Sequence, residues 1–141
     1  MKTQLQIHVI DPDPDYLGIE IFASSDRFAG TTRIYAANDE LYNLCRAIEG
    51  FPAKIDDQRT HLFGTRDSGC AGGFCELHFF CTDGSGHAAI RIDVGDDDAR
   101  HSDGVARFTV PILPSEIDSF IVALKRLELN RAGEATLKKE G

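Results

Sequence analysis

Two runs of alternating residues meet at Asp83-Gly84-Ser85-Gly86, and their pairing constrains this chain more than any other feature. With Gly84-Ser85 as a two-residue hairpin tip, Asp83 stands opposite Gly86 and Cys81 opposite Ala88. The same register sets Phe79 against Ile90, Leu77 against Ile92 and Cys75 against Val94, a wholly apolar face. A slip of one residue would turn that face to water. The other face carries Glu76, His78, Phe80, Thr82, His87, Arg91 and Asp93. The hairpin is therefore expected to lie with one side on a core and the other outward.

The rest of the chain obeys the same one-sided rule. Leu5, Ile7 and Val9 alternate with polar residues as in a half-buried strand, which Asp11-Pro12-Asp13-Pro14-Asp15 interrupts because proline cannot donate to a ladder. Leu17, Ile19 and Ile21 mark a second strand, and a third runs from about Phe28 to Tyr35. Asn38 reads as an N-cap before Leu41, Leu44, Cys45 and Ile48, whose spacing is helical, and Gly50 and Pro52 end that helix. A fourth strand is expected near His61 to Thr65, followed by a glycine-rich loop from Gly64 to Gly73. After the hairpin, Gly95-Asp96-Asp97-Asp98 reads as an acidic loop, and Phe108, Val110 and Ile112 as the inner face of a strand spanning Val105 to Leu113. Pro114 opens a second helix with Ser115 as its cap and a stripe of Ile117, Phe120, Ile121, Leu124 and Leu127. These readings predict an α+β fold in the order βββαββββα: a mostly antiparallel sheet of about six to seven strands, with both helices on one face. Residues 1–130 form a single domain. Residues 131–141, poor in large apolar side chains, read as a flexible C-terminal tail.

Charge narrows the function classes. Lys plus Arg number 15 against 23 for Asp plus Glu, a formal net charge of -8 over 141 residues. That balance argues against a general nucleic-acid binder and against a basic membrane-surface helix. No apolar run reaches transmembrane length, and Met1-Lys2-Thr3 leads into alternation rather than a signal peptide. A cytoplasmic location is expected, with Cys45, Cys70, Cys75 and Cys81 as free thiols.

Few residues carry a pattern of site chemistry. The cysteines lack the close pairs of structural zinc sites, and Cys75 and Cys81 fall on the apolar face of the hairpin. Cys70 has no histidine brought to it by sequence, and the glycines around it lack the Lys-Ser/Thr ending of a P-loop. Asp93, Asp96, Asp97, Asp98 and Asp103 do not follow the spacing of a calcium loop. No catalytic residue, cofactor or metal ligand is assigned. The polar face of the hairpin is more informative. Glu76 opposes Asp93 and His78 opposes Arg91, so the diagonals Glu76–Arg91 and His78–Asp93 are expected to relieve the paired acids. As a docking surface, this face would use Phe80 and Phe22 as apolar anchors in a charged field.

From Phe28 onward the order of elements resembles the WapI-like immunity family of bacterial contact-dependent and polymorphic toxin systems. The resemblance rests on Phe28-Ala-Gly30 with Tyr35, Leu44-Cys-Arg-Ala-Ile48, Cys75-Glu-Leu-His-Phe79, Asp83-Gly-Ser-Gly-His87, Phe108-Thr-Val110 and the closing helix Glu116 to Leu127. The Gly64–Gly73 stretch and the acidic loop with His101 depart from it as additions. It implies a cytoplasmic, non-catalytic protein that binds and blocks a cognate toxin. A net-negative domain suits a basic toxin, and the partner-binding candidates are Asp96, Asp97, Asp98, Glu76, His78, Phe80, Arg91 and Asp93. Two other classes fit the residues: a small-ligand or metal-binding domain using the Gly64–Gly73 loop and the histidines, and a scaffold that self-associates through a sheet edge or open face.

Overall fold

The structure, a computed structural model, describes residues 4–66, 72–97 and 104–138. Their elements run β1 (Gln4–Asp11), β2 (Leu17–Ser24), β3 (Ala29–Ala36), α1 (Glu40–Ile48), β4 (Gln58–Gly64), β5 (Gly72–Cys81), β6 (Ala88–Asp97), β7 (Gly104–Ile112), α2 (Pro114–Asn130) and β8 (Glu134–Lys138). The β5–β6 hairpin adopts the apolar register, pairing Cys75 with Val94, Leu77 with Ile92, Phe79 with Ile90 and Cys81 with Ala88. Leu77, Phe79, Ile90 and Ile92 are fully buried.

The fold is α+β, but its strands form two four-stranded antiparallel sheets rather than one. The first has the order β3-β2-β1-β8 and the second β4-β5-β6-β7. A one-sided apolar strand is satisfied equally by a helix or by a second sheet across the core, so alternation alone did not distinguish them. The sheets approach each other along β3. There Gly30 lies against Val94 and Ala106, and a Cβ at Gly73 would overlap Thr32 Oγ1. Small residues at this crossing let the backbones come close, which a larger side chain on either strand would prevent. Ile7, Ile19, Ile21 and Ile34 of the first sheet join Phe63, Phe79, Ile90 and Phe108 of the second in one core with both helices.

The helices bury the stripes that spacing marks: Leu41, Leu44, Cys45 and Ile48 on α1, and Ile117, Phe120, Ile121, Leu124 and Leu127 on α2. Their caps differ from expectation. Asn38 does not cap α1; its amide donates to Pro14 O at 3.0 Å, fastening the helix entry to the proline segment after β1. Arg59 closes the other end by donating to Ala47 O and Glu49 O. Nor does Ser115 cap α2. Leu113 holds the cap position, and its N–H donates to Glu116 Oε1 at 2.7 Å.

Two segments differ from expectation. Asp96 and Asp97 belong to β6, which extends opposite Gly73 and Gly72, so the acidic stretch is strand up to Asp97. Asp98 lies outside the described residues, as do Cys70, His101 and Asp103. In the C-terminal stretch, Glu134–Lys138 form β8 instead of a tail. Arg131 (φ 52) and Gly133 (φ 96) turn the chain back, and β8 pairs with β1 through Gln4↔Lys138 to His8↔Glu134. Two alternating apolar residues suffice here, because Ala135 and Leu137 are 1% and 5% exposed. Truncating Leu137 tests this directly. In urea unfolding, Leu137→Ala is expected to cost about 2–3 kcal/mol, the range for a buried leucine. A tail would leave the midpoint where it was.

Candidate functional site

The outer face of the second sheet collects what alternation places there: Gln58 and Thr60 from β4, Glu76, His78 and Phe80 from β5, Arg91 and Asp93 from β6, and Arg107 and Thr109 from β7. Five of the eight candidate contact residues therefore share one surface: Glu76, His78, Phe80, Arg91 and Asp93. His78 stands opposite Arg91, and its Nε2 meets Gln58 Oε1 at 3.0 Å. Its ring tilts against Phe80 at 5.5 Å between centroids.

Asp93 organises this face. It is 1% exposed although it points away from the core. Arg107, directly opposite on β7, clamps it with Nε to Oδ1 at 2.9 Å and a second nitrogen to Oδ2 at 2.8 Å. Arg66, just beyond β4, also donates to Oδ2. The same guanidinium reaches Glu76 Oε1 at 2.9 Å and lies 4.3 Å over the ring of Phe74. Burial pushes the Asp93 carboxyl up, but hydrogen bonds from Arg107 and Arg66 outweigh it and hold the group below its ordinary value. Arg66 is thus what relieves the opposed acids Glu76 and Asp93. The expected diagonals Glu76–Arg91 and His78–Asp93 do not form as hydrogen bonds. Arg91 stands 4.0 Å from Asp93 Oδ1, outside hydrogen-bonding range.

Beside Arg91 the face dips into an open cleft of about 310 Å³, between the strands and the segment before β4. Ile55, Asp56, Asp57, His78, Phe80 and Arg91 are among the residues that line it. Asp57 is held within its own wall, donated to by Arg59 at 2.9 and 3.0 Å and by the Ala53 N–H at 2.8 Å. Its carboxyl is kept below the ordinary range, chiefly by the Arg59 hydrogen bond.

The remaining candidates fall elsewhere. Asp96 alternates with Asp93, so it belongs to the side of β6 that carries Val94, and it is exposed. Asp97 pairs with Gly72 at the strand end. Phe22 lies on β2 of the first sheet, so it cannot share a surface with Phe80. Cys45 and Cys75 are buried, and burial pushes the Cys75 thiol up to about 12, an inert core sulfur. Among the described residues no group of three or more His, Cys, Asp and Glu converges as a metal site. Arg107 and Arg66 were missed by sequence reading. Arg107 was findable, because continuing the register onto the last strand sets it opposite Asp93. Arg66 comes from irregular chain and carries no such signal.

No family model, curated protein or solved structure matches this chain. Among the described residues no helix is long and apolar enough to cross a membrane.

The arginine clamp makes a signed prediction. A depressed carboxyl contributes stability that is present above its unfolded value, near 3.8, and is lost as pH falls through the lower folded value. Asp93→Asn is expected to cost about 1–2 kcal/mol at neutral pH. It should also reduce the loss of stability below pH 3.8, measured as urea midpoints across an acid series. An acid limb identical to that of the parent protein would show that Asp93 is not clamped as described.

Proposed function

We propose that this is a non-catalytic binding protein of the immunity type, which binds a cognate protein toxin in the cytoplasm and blocks it through the outer face of the second sheet. The observation that carries the reading is the Asp93 clamp. It fixes Arg107 and Arg66 in set positions on an open sheet face that also presents the half-buried aromatic Phe80. Arginine and aromatic residues are the side chains enriched where protein interfaces concentrate their energy, and groups fixed in advance lose less entropy on binding. The net charge of -8 favours a basic partner by raising the encounter rate. Exposed Asp96 adds to that field from the end of β6. The order of elements from Phe28 to Leu127, similar to the WapI-like immunity family, supports the same reading. Nucleic acid and membrane are not the partners it implies.

Growth is the direct readout. The tagged chain is used to capture its partner from lysate of its own host, and the captured protein is then expressed alone and together with this chain. Arrest by the partner alone and recovery on co-expression are expected. Phe80→Ala combined with Arg91→Ala should lose protection and at least about 2 kcal/mol of affinity, with the fold retained by circular dichroism. A partner harmless on its own would overturn the inhibitor reading. Full protection by the double variant would remove this face from it.

A further inference from the structure

We propose that the cleft beside Arg91 is an anchor site for one carboxylate side chain of the partner protein, with a neighbouring apolar side chain covering Phe80 and Ile55. The inference rests on the inhibitor reading and names the chemistry that its contact face selects.

Positive charge is in surplus around Asp93. Among the described residues three guanidiniums approach Asp93, but its two oxygens are already taken by Arg107 at 2.9 and 2.8 Å and by Arg66. Arg66 has Glu76 as a second partner. Arg91 is left 4.0 Å away, with its side chain 43% exposed at the cleft. The acids on the opposite wall do not compensate it, since Asp57 is engaged by Arg59 and Asp56 lies 3.7 Å from Lys54. A guanidinium with free N–H groups matches a carboxylate in a two-point geometry. The rest of the lining discriminates between sources of that carboxylate. Ile55 is 67% exposed and Phe80 half-buried, so an anion gains most when it brings apolar surface with it. A protein side chain next to a leucine or phenylalanine meets both needs, whereas a free inorganic anion meets one. The acidic surface as a whole and this local cation act at different ranges. The first speeds encounter with a basic protein, and the second fixes where one of its acidic residues sits.

The test uses the full chain, labelled with 15N, and two blocked dipeptides, acetyl-Glu-Phe-amide and acetyl-Gln-Phe-amide. The Glu peptide is expected to shift the Arg91 Nε–H resonance and the amides of His78 and Phe80. The Gln peptide should bind at least about tenfold more weakly, having lost the charge-assisted hydrogen bonds. Arg91→Gln should reduce the Glu-peptide affinity by a similar factor, and Arg27→Gln should leave it unchanged. Ile55→Glu alters an exposed loop residue, so it closes the cleft by like charge even if Arg91→Gln disturbs the sheet. Equal response to the two peptides, shifts confined to other surfaces, no response, or an undiminished response in Ile55→Glu would each overturn the site. The peptide titration and the growth assay fail separately: a silent titration with protection by the unaltered chain removes the cleft alone, and a normal titration with no protection by the unaltered chain removes the inhibitor reading.

Discussion

A carboxylate on the outer face of a sheet cannot be 1% exposed unless its charge is answered at hydrogen-bonding distance. Asp93 meets that condition with Arg107 from the neighbouring strand and Arg66 from the chain just after β4. Through Arg66 the network also reaches Glu76 and the ring of Phe74. One buried charge therefore ties β5, β6, β7 and the exit of β4 on their solvent side, while their other side is held by the core. His78 and Arg91 form the next outward pair along the hairpin from Glu76 and Asp93, and Phe80 follows one outward position further.

The core imposes a second constraint from beneath. β3 crosses close to the second sheet, where Gly30 meets Val94 and Ala106 and Gly73 meets Thr32. That approach is what makes the first sheet a lid over the second instead of an extension of it. The helices complete the enclosure, with Leu44, Ile48, Phe120 and Leu124 fully buried in the shared core. With the inner faces consumed in this way, the second sheet has its outer face left for contact.

How much of this was legible follows from what alternation encodes. The β5–β6 register could be read residue for residue, because Cys75 to Cys81 and Ala88 to Val94 match on one face only. The buried stripes of both helices were equally clear. Alternation reports which side of a strand is buried and is silent on what buries it, so one sheet and two facing sheets read alike. Glu134–Lys138 was lost for a related reason: two small-to-medium apolar residues among charges give too weak a pattern to separate a strand from a tail. Caps failed because Asn38 and Ser115 have the right chemistry at nearly the right places, whereas tertiary partners such as Pro14 O and local ones such as Glu116 decided the outcome. Within the site, Glu76, His78, Phe80, Arg91 and Asp93 came from parity alone. Which arginines answered Asp93 depended on pairing with β7 and on an irregular segment, neither of which parity specifies.

The account turns on which face meets the partner. Side-chain footprinting by hydroxyl radicals, with the chain free and bound to its captured partner, addresses that directly. The exposed or half-exposed side chains Leu62, His78 and Phe80 report on the outer face of the second sheet, and Tyr35, 75% exposed, reports on the first. Loss of reactivity at Leu62, His78 and Phe80 with Tyr35 unchanged is the predicted result. Protection of Tyr35 with Phe80 and His78 still reactive would contradict the account.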